Sequence, residues 1–245
     1  MAALTAERLE SLLGAAERAH GAYERGLGHR DEDWPKWYAD FMLPLLLDAS
    51  ALGHQPITLT GRSVELRPLH MNHLDALCEV GLEPALWRHT VSQITTRGEL
   101  ERYLRTALDE QAAGRSLPFV LVSRADQVIV GSTRYGNIDR PNRRVEIGWT
   151  WVAPRWQRTS INTEAKLLLL RHAFETLGCM RVEFKTDRLN EQSRTALQRI
   201  GAVEEGTFRR HMLTQSGRWR DSVYFSIVAE DWPAVREALE AKLAR

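Results

Sequence analysis

At 245 residues the chain is long enough for one large domain or two smaller ones, and its 33 basic and 32 acidic side chains leave a formal net charge of only +1, which excludes a generic polyanion binder. Its two cysteines, Cys78 and Cys179, lie far apart without a C-x-x-C pair, so a reduced protein is expected, with neither a disulfide scaffold nor a metal site. No N-terminal stretch reads as a signal peptide and no apolar run approaches the roughly 18 residues of a membrane span, so the expectation is a soluble cytoplasmic protein with no membrane partner.

The first elements are helical. Leu9, Leu12, Leu13 and Ala16 fall at helical spacing, continued by His20 and Tyr23. After the turn "GLGHRDED", Asp33 can cap a second helix whose Trp34, Trp37, Tyr38, Phe41, Met42 and Leu45 share one face, with Pro35 harmless in its first turn. Residues 1–55 are expected to form a helical hairpin and a linker ending in "DASALGHQP", the aromatic face serving mainly as core.

From residue 56 to 245 strands and helices mix. "ITLTGRSVELRPL" alternates around a Gly-Arg turn and "HMNHLDALCEV" reads as a short helix. "TTRGELERYLRTALDEQAAG" opens with Thr96 three residues before Glu99, the capping-box spacing. "LPFVLV", "QVIVGSTRYGNI" and "RRVEIGWTWV" are three successive strands. A long apolar helix follows from about Ser160, then strand "RVEFKT", helix "NEQSRTALQRIGA", two strands joined at "TQSGRW" and a last helix near Trp232–Leu243. That order predicts an α+β fold: a mostly antiparallel, mixed, twisted sheet flanked by helices, with one β-α-β crossover at its centre.

The chemistry concentrates at that crossover. A helix N-terminus leaves about four backbone N–H groups unpaired and carries partial positive charge, which together make an anion site. Gln157, Arg158, Thr159, Ser160, Ile161, Asn162 and Thr163 occupy the turn and first helical residues, with hydroxyl, amide and guanidinium donors among them. Ordinary helix capping accounts for the polar residues alone, so both readings stand.

Residues 145–206, "VEIGWTWVAPRWQRTSINTEAKLLLLRHAFETLGCMRVEFKTDRLNEQSRTALQRIGAVEEG", resemble the core of a GNAT-superfamily acetyltransferase, most closely the Rim-type branch of ribosomal-protein N-terminal acetyltransferases. The resemblance rests on Glu146-Ile147-Gly148, the basic loop opening a helix, and Asn190-x-x-Ser193 followed by Ile200-Gly201-Ala202. It implies acetyl-CoA as co-substrate, held where the two strands of the crossover splay apart, its pantetheine arm along Trp151 and Val152 and its pyrophosphate on Gln157–Thr163. The family loop is Gln/Arg-x-x-Gly-x-Gly/Ala, whereas this chain has Ser160 and Asn162 at the glycine positions. Asn tolerates left-handed geometry and Ser is small, so the loop is expected to keep its shape. The acyl group beyond acetyl stays open.

The implied reaction is attack of a neutral amine on a thioester. An α-amine with pKa near 8 is roughly a tenth neutral at pH 7 and a lysine far less, so a proton acceptor is needed. Glu146 is the first candidate, Gly148 leaving room beside it on the same strand face; a salt bridge with Arg144 or a facing strand is the alternative. The resemblance makes Ser193 the donor to the leaving thiolate, since the frequent family tyrosine is Leu197 here, and gives Asn190 a pantetheine hydrogen bond in addition to helix capping. Backbone N–H groups near Val152 would polarise the thioester carbonyl. His211 replaces the sixth-strand carboxylate of some relatives and is a second base candidate. His89 and Asp221 are weaker candidates around the acceptor, Asp221 with the alternative of pairing with Arg218 or Arg220. The pairs Arg209-Arg210 and Arg218-x-Arg220 read as solvated strand positions, and nucleic acid is not expected as a partner. The partners are acetyl-CoA and an amine acceptor, and a homodimer is compatible. The competing class is a non-catalytic relative that binds a ligand through the altered loop.

Overall fold

The first apolar stripe folds as α1 (Ala6–Leu27), which buries Ala16 and His20. His20 donates or accepts at 3.1 Å with Asp31 in the following turn and lies edge-on to Tyr38, at 5.4 Å between ring centroids. The computed structural model describes residues 6–36, 38 and 56–244. Residues 34–36 and 38 are helical; the remainder of the expected second helix, with Trp37, Phe41, Met42 and Leu45, lies outside the described residues. No helix among the described residues is long and apolar enough to cross a membrane.

The rest of the chain builds one eight-stranded sheet. Its strands are β1 (Leu59–Thr60), β2 (Val64–Pro68), β3 (Leu117–Ser123), β4 (Ile129–Asp139), β5 (Arg144–Val152), β6 (Arg181–Asp187), β7 (Val203–Leu213) and β8 (Trp219–Val228), in the spatial order β1-β2-β3-β4-β5-β6-β8-β7. The helices are α2 (Leu74–Gly81), α3 (Pro84–Trp87), α4 (Arg97–Ala112), α5 (Ser160–Arg171), α6 (Glu191–Arg199) and α7 (Trp232–Leu243). The Thr96/Glu99 capping box expected from spacing opens α4, with Thr96 Oγ1 accepting from the Glu99 N–H. The short helix α3 was not among the expected elements: Pro84 fits its first turn, and it exists to seat Trp87, which is 2% exposed.

Every strand pair is antiparallel except β5 with β6, the crossover pair. α5 bridges these two strands and covers one face, its Ile161, Ala165, Leu168 and Leu169 joining Val145, Ile147, Val182 and Phe184 in the larger core. The opposite face near β3 carries a second core of α2, α3 and α4 side chains with Val120, Val122 and Trp151. Glu164 ties α5 to the first hairpin: its carboxylate accepts from the N–H groups of Arg62 (2.7 Å), Ser63 (2.6 Å) and Val64 (3.1 Å) and from the Ser63 hydroxyl. A helical glutamate thus satisfies a tight turn that could not pair its own backbone.

Candidate active site

β5 and β6 hold together over three pairs only, Arg144 with Arg181, Val145 with Val182 and Glu146 with Glu183. Beyond Glu146 they part. The cause is local to β5. Between the pairs Arg134–Gly148 and Ser132–Trp151, β5 gains an extra residue against β4, and Trp149 there adopts φ +51. Such a bulge bends its strand and ends regular pairing. From Ile147 to Val152, β5 therefore follows β4 on one side and has no strand partner on the other. The Ala153 N–H donates to Val130 O on the β4 side, so by alternation the N–H and C=O of Val152 face away from β4, into the opening. Its carbonyl accepts from Gln157 Nε2 at 2.8 Å, which leaves the N–H.

At the wide end of this wedge lies the N-terminus of α5. Thr159 caps it, accepting weakly from the Ile161 N–H at 3.4 Å while its hydroxyl donates to Trp156 O. Arg158 is exposed, and its φ of +61 makes it the left-handed residue of the loop. Ser160 and Asn162, at the family's glycine positions, are ordinary helical residues, so the tolerance of Asn for left-handed geometry is not used at position 162. The positive φ falls upstream, and only side-chain bulk distinguishes this loop from a glycine-containing one. Gln157 Oε1 also accepts from Gln192 of α6 at 3.2 Å, joining the loop to the second helix of the wedge. Ile161 is buried in the core, Thr163 Oγ1 meets Arg199, and Asn162 Oδ1 is buried without a partner. Trp151 contributes backbone alone. Its ring packs on Trp87 at 5.7 Å, and a Cβ on Gly81 would sit 2.8 Å from it, so its side chain belongs to the second core rather than to a ligand groove.

Glu146 sits at the apex where the strands diverge. It is 6% exposed, and its Oε2 accepts from Asn137 Nδ2 at 2.5 Å and pairs with Lys185 Nζ at 2.8 Å. A Cβ on Gly148 would lie 2.8 Å from its Oε1, so the glycine clears the space that the sequence assigned to it. The expected salt-bridge alternative is realised with Lys185 of β6; Arg144 instead pairs with Asp139 and Glu183. Burial pulls against the Lys185 ammonium, yet the charge and hydrogen bond of Glu146, joined by Tyr224, together outweigh it and hold its pKa above the ordinary lysine value. A groove of about 570 Å³ opens beside the pair, lined by Asn137, Arg144, Glu183 and Lys185 among others.

The remaining candidates divide. Asn190 caps α6, its Oδ1 accepting from the Ser193 N–H at 3.0 Å, while the half-buried Ser193 makes no side-chain hydrogen bond among the described residues. His211 lies on exposed β7 with its ring against Phe208 and Tyr224. Burial, then the charges of Lys185 and Arg220, lower its pKa, and Glu146 opposes them. It therefore shares one electrostatic cluster with Glu146. Asp221 pairs with neither Arg218 nor Arg220: it accepts from the Arg210 N–H at 2.7 Å and faces Arg188 at 3.8 Å. His89 is half-buried in the turn after α3, a loop fastened to the β7–β8 turn by Gln215 N–H to Val91 O and Gln93 N–H to Gln215 Oε1. Arg220, read from the sequence as solvated, is 8% exposed. Asn137 and Lys185 carried no sequence signal, because only the register between strands brings them to Glu146.

The fold matches those of known proteins. The family model described as the acetyltransferase (GNAT) domain matches residues 63–203. A GCN5-related N-acetyltransferase from Brucella melitensis superposes with a TM-score of 0.69 at 31% identity, covering 76% of this chain and 85% of that one. Mycobacterium smegmatis RimJ, solved in complex with CoA-disulfide, superposes with a TM-score of 0.63 at 28% identity, covering 77% and 93%. Bacillus subtilis YdaF, a proposed ribosomal N-acetyltransferase, is 36% identical over 107 residues, which are 44% of this chain and 57% of YdaF.

Proposed function

Because the chain belongs to the GNAT acetyltransferase family and is an N-acetyltransferase, we propose that it transfers acetyl from acetyl-CoA to a primary amine by direct attack, with Glu146 as proton acceptor. The observation that carries this reading is the wedge: an unpaired β5 edge whose Val152 N–H faces the opening leads towards the N-terminus of α5, with a buried carboxylate where the strands part. The coenzyme fits these residues. Its diphosphate would meet the N–H groups of Ser160 and Asn162 and the Arg158 guanidinium, and its amide-bearing arm would pair with the β5 edge. Asn190 lies on the facing wall of the wedge.

In this mechanism the amine nitrogen bonds to the thioester carbon while its proton passes to Glu146, directly or through one water. The Val152 N–H stabilises the oxyanion, and the C–S bond then breaks. The leaving thiolate is met by a hydrogen bond from the Ser193 hydroxyl, and the proton taken up by Glu146 passes on to the thiolate or to solvent. His211, near the same cluster but on the exposed edge strand, is the second base candidate. The ribosomal N-acetyltransferase name of YdaF favours a ribosomal acceptor, for which a protein N-terminus is our reading; a small amine fits the same chemistry.

The Lys185 pair is the observation favouring the opposite view, that Glu146 is structural. Glu146→Gln separates the two. The expected result is a fall in turnover of roughly 10²- to 10⁴-fold, with the rise in Tm caused by acetyl-CoA largely preserved. Loss of both together would refute the assignment of Glu146.

A further inference from the structure

The sheet face that carries Glu146 also carries a buried cation that makes no ion pair among the described residues. Directly opposed residues share a face, so Lys185 and Tyr224 point the same way as Asp187 and Ser222, and Arg220, two positions before Ser222, joins them. Arg220 is 8% exposed and Ser222 is fully buried. Arg220 Nε and Ser222 Oγ both lack any hydrogen-bond partner, and Arg220 makes no ion pair among the described residues. Its neighbours are already matched: Lys185 with Glu146, and Arg218 with Asp187, whose other oxygen accepts from the Leu189 N–H. Lys185 and Arg218 each have a carboxylate in contact, and Arg220 beside them has none. Burial accordingly draws the Arg220 guanidinium below the usual arginine value, against the more distant pull of Asp187 and then Glu146.

An unpaired buried charge is among the costliest features a fold can hold. Arg220 Nε is a donor and the Ser222 hydroxyl can donate beside it, so an anion completes both, and a guanidinium fork matches a carboxylate in particular. The position is specific too. Lys185 Nζ lies 5.0 Å from the Tyr224 ring centre, and the charges of Arg220, Lys185 and Glu146 all act on His211. The loop of residues 88–93, held by Gln215, packs at this end of the sheet.

We propose that Arg220, with the Ser222 hydroxyl, receives a carboxylate carried by the acceptor beside its reacting nitrogen. The acceptor class is then amino-acid-like: a free α-amino acid or a peptide with an acidic first residue. This rests on the transferase reading, in which Glu146 marks the amine's position. A carboxylate could also arrive on a dicarboxylic acyl group, and the test distinguishes the two.

Release of CoA is measured with acetyl-CoA and matched amines, α-amino acids against their amides and Asp-initiated against Asn-initiated peptides, and then with succinyl-CoA and the amides. The carboxylate member of each pair should have a kcat/KM on the order of tenfold to a hundredfold higher, expressed in KM. Arg220→Gln should erase that preference and leave the neutral member nearly unchanged. Equal use of both members, insensitive to Arg220→Gln, overturns the anion site while the transferase reading stands. A preference tied to succinyl-CoA instead overturns the acceptor assignment and moves the carboxylate to the acyl group. A measurement independent of turnover is the melting temperature. Arg220→Met should melt above the wild type, and succinate should raise Tm in the wild type alone. A variant less stable than the wild type would show that Arg220 has a protein partner, and the proposal fails.

Discussion

Replacing Lys166 by methionine is expected to stabilise the protein, by an amount that shrinks as pH rises. Lys166 is 5% exposed, and its one hydrogen bond among the described residues runs from Nζ to Thr150 Oγ1 at 2.8 Å. Burial lowers its pKa from 10.5 to about 7. At roughly 1.4 kcal/mol per unit, holding the ammonium out of water costs the folded state on the order of 4 kcal/mol at pH 7. The folded value lies below the unfolded one, so the unfolded chain binds the extra proton between them and stability rises with pH across that window, by about 2 kcal/mol from pH 7 to 9. For a chain of this size that is a rise in Tm of roughly 4–8 °C. Two other buried groups flank the window. His172, lowered by burial to about 4, adds a rise of the same sign only below its unfolded value of 6.5. Cys179, raised by burial to about 12 against the opposing Arg143 charge, cancels the trend above its unfolded value of 9.0 and reverses it only above the unfolded lysine value of 10.5. Methionine keeps the length and removes the charge. One hydrogen bond worth about 1 kcal/mol is lost, and Thr150 keeps its 2.7 Å contact with Thr133. The net gain should be about 3 kcal/mol at pH 7 and about 1 kcal/mol at pH 9. Denaturant unfolding of both proteins at pH 7, 8 and 9 measures it. Wild-type stability that is flat or falling across this range, or a variant no more stable at pH 7, would refute the reasoning.

Glu164→Ala should destabilise by about 3 kcal/mol or more, since the Arg62, Ser63 and Val64 N–H groups lose their acceptor together. Burial acts to raise the Glu164 pKa, but the Ser63, Arg62 and Val64 hydrogen bonds outweigh it and lower it. Its contribution is therefore full above its unfolded value of 4.5 and lost as pH falls through the folded one, so unfolding curves of variant and wild type should converge in acid. Gly148→Ala, whose Cβ would stand 2.8 Å from Glu146 Oε1, should displace the carboxylate and slow turnover on the order of tenfold to a hundredfold. The thermal shift with acetyl-CoA should persist, because Gly148 lies away from the α5 N-terminus; unaltered turnover would count against Glu146 as the proton acceptor.

Local rules settled much of this protein in advance. The strands β3 to β5, the Thr96/Glu99 box of α4 and the polar joint before α5 each depend on neighbours a few residues apart, and each appears where the sequence placed it. The crossover was legible for the same reason: an apolar helix between two strands must pack back on the sheet, and a parallel pair follows. Glu146 and Gly148 were legible as a pair because strand alternation puts them on one face.

What the sequence left open depends on contacts between distant segments. Lys185 and Asn137 reach Glu146 only through the registers of β6 and β4, and a lysine in "EFKT" reads no differently whether it meets a carboxylate or water. The left-handed residue proved to be Arg158 because the cap at Thr159 sets where α5 begins, whereas the family pattern pointed to positions two and four residues later. Arg220 and Lys166 show the limit most plainly. Their neighbours in sequence suggest a solvated strand and a helix stripe, yet the packed sheet buries both. Burial is a property of the assembled layers, and no local window contains the partners that would, or would not, neutralise a charge.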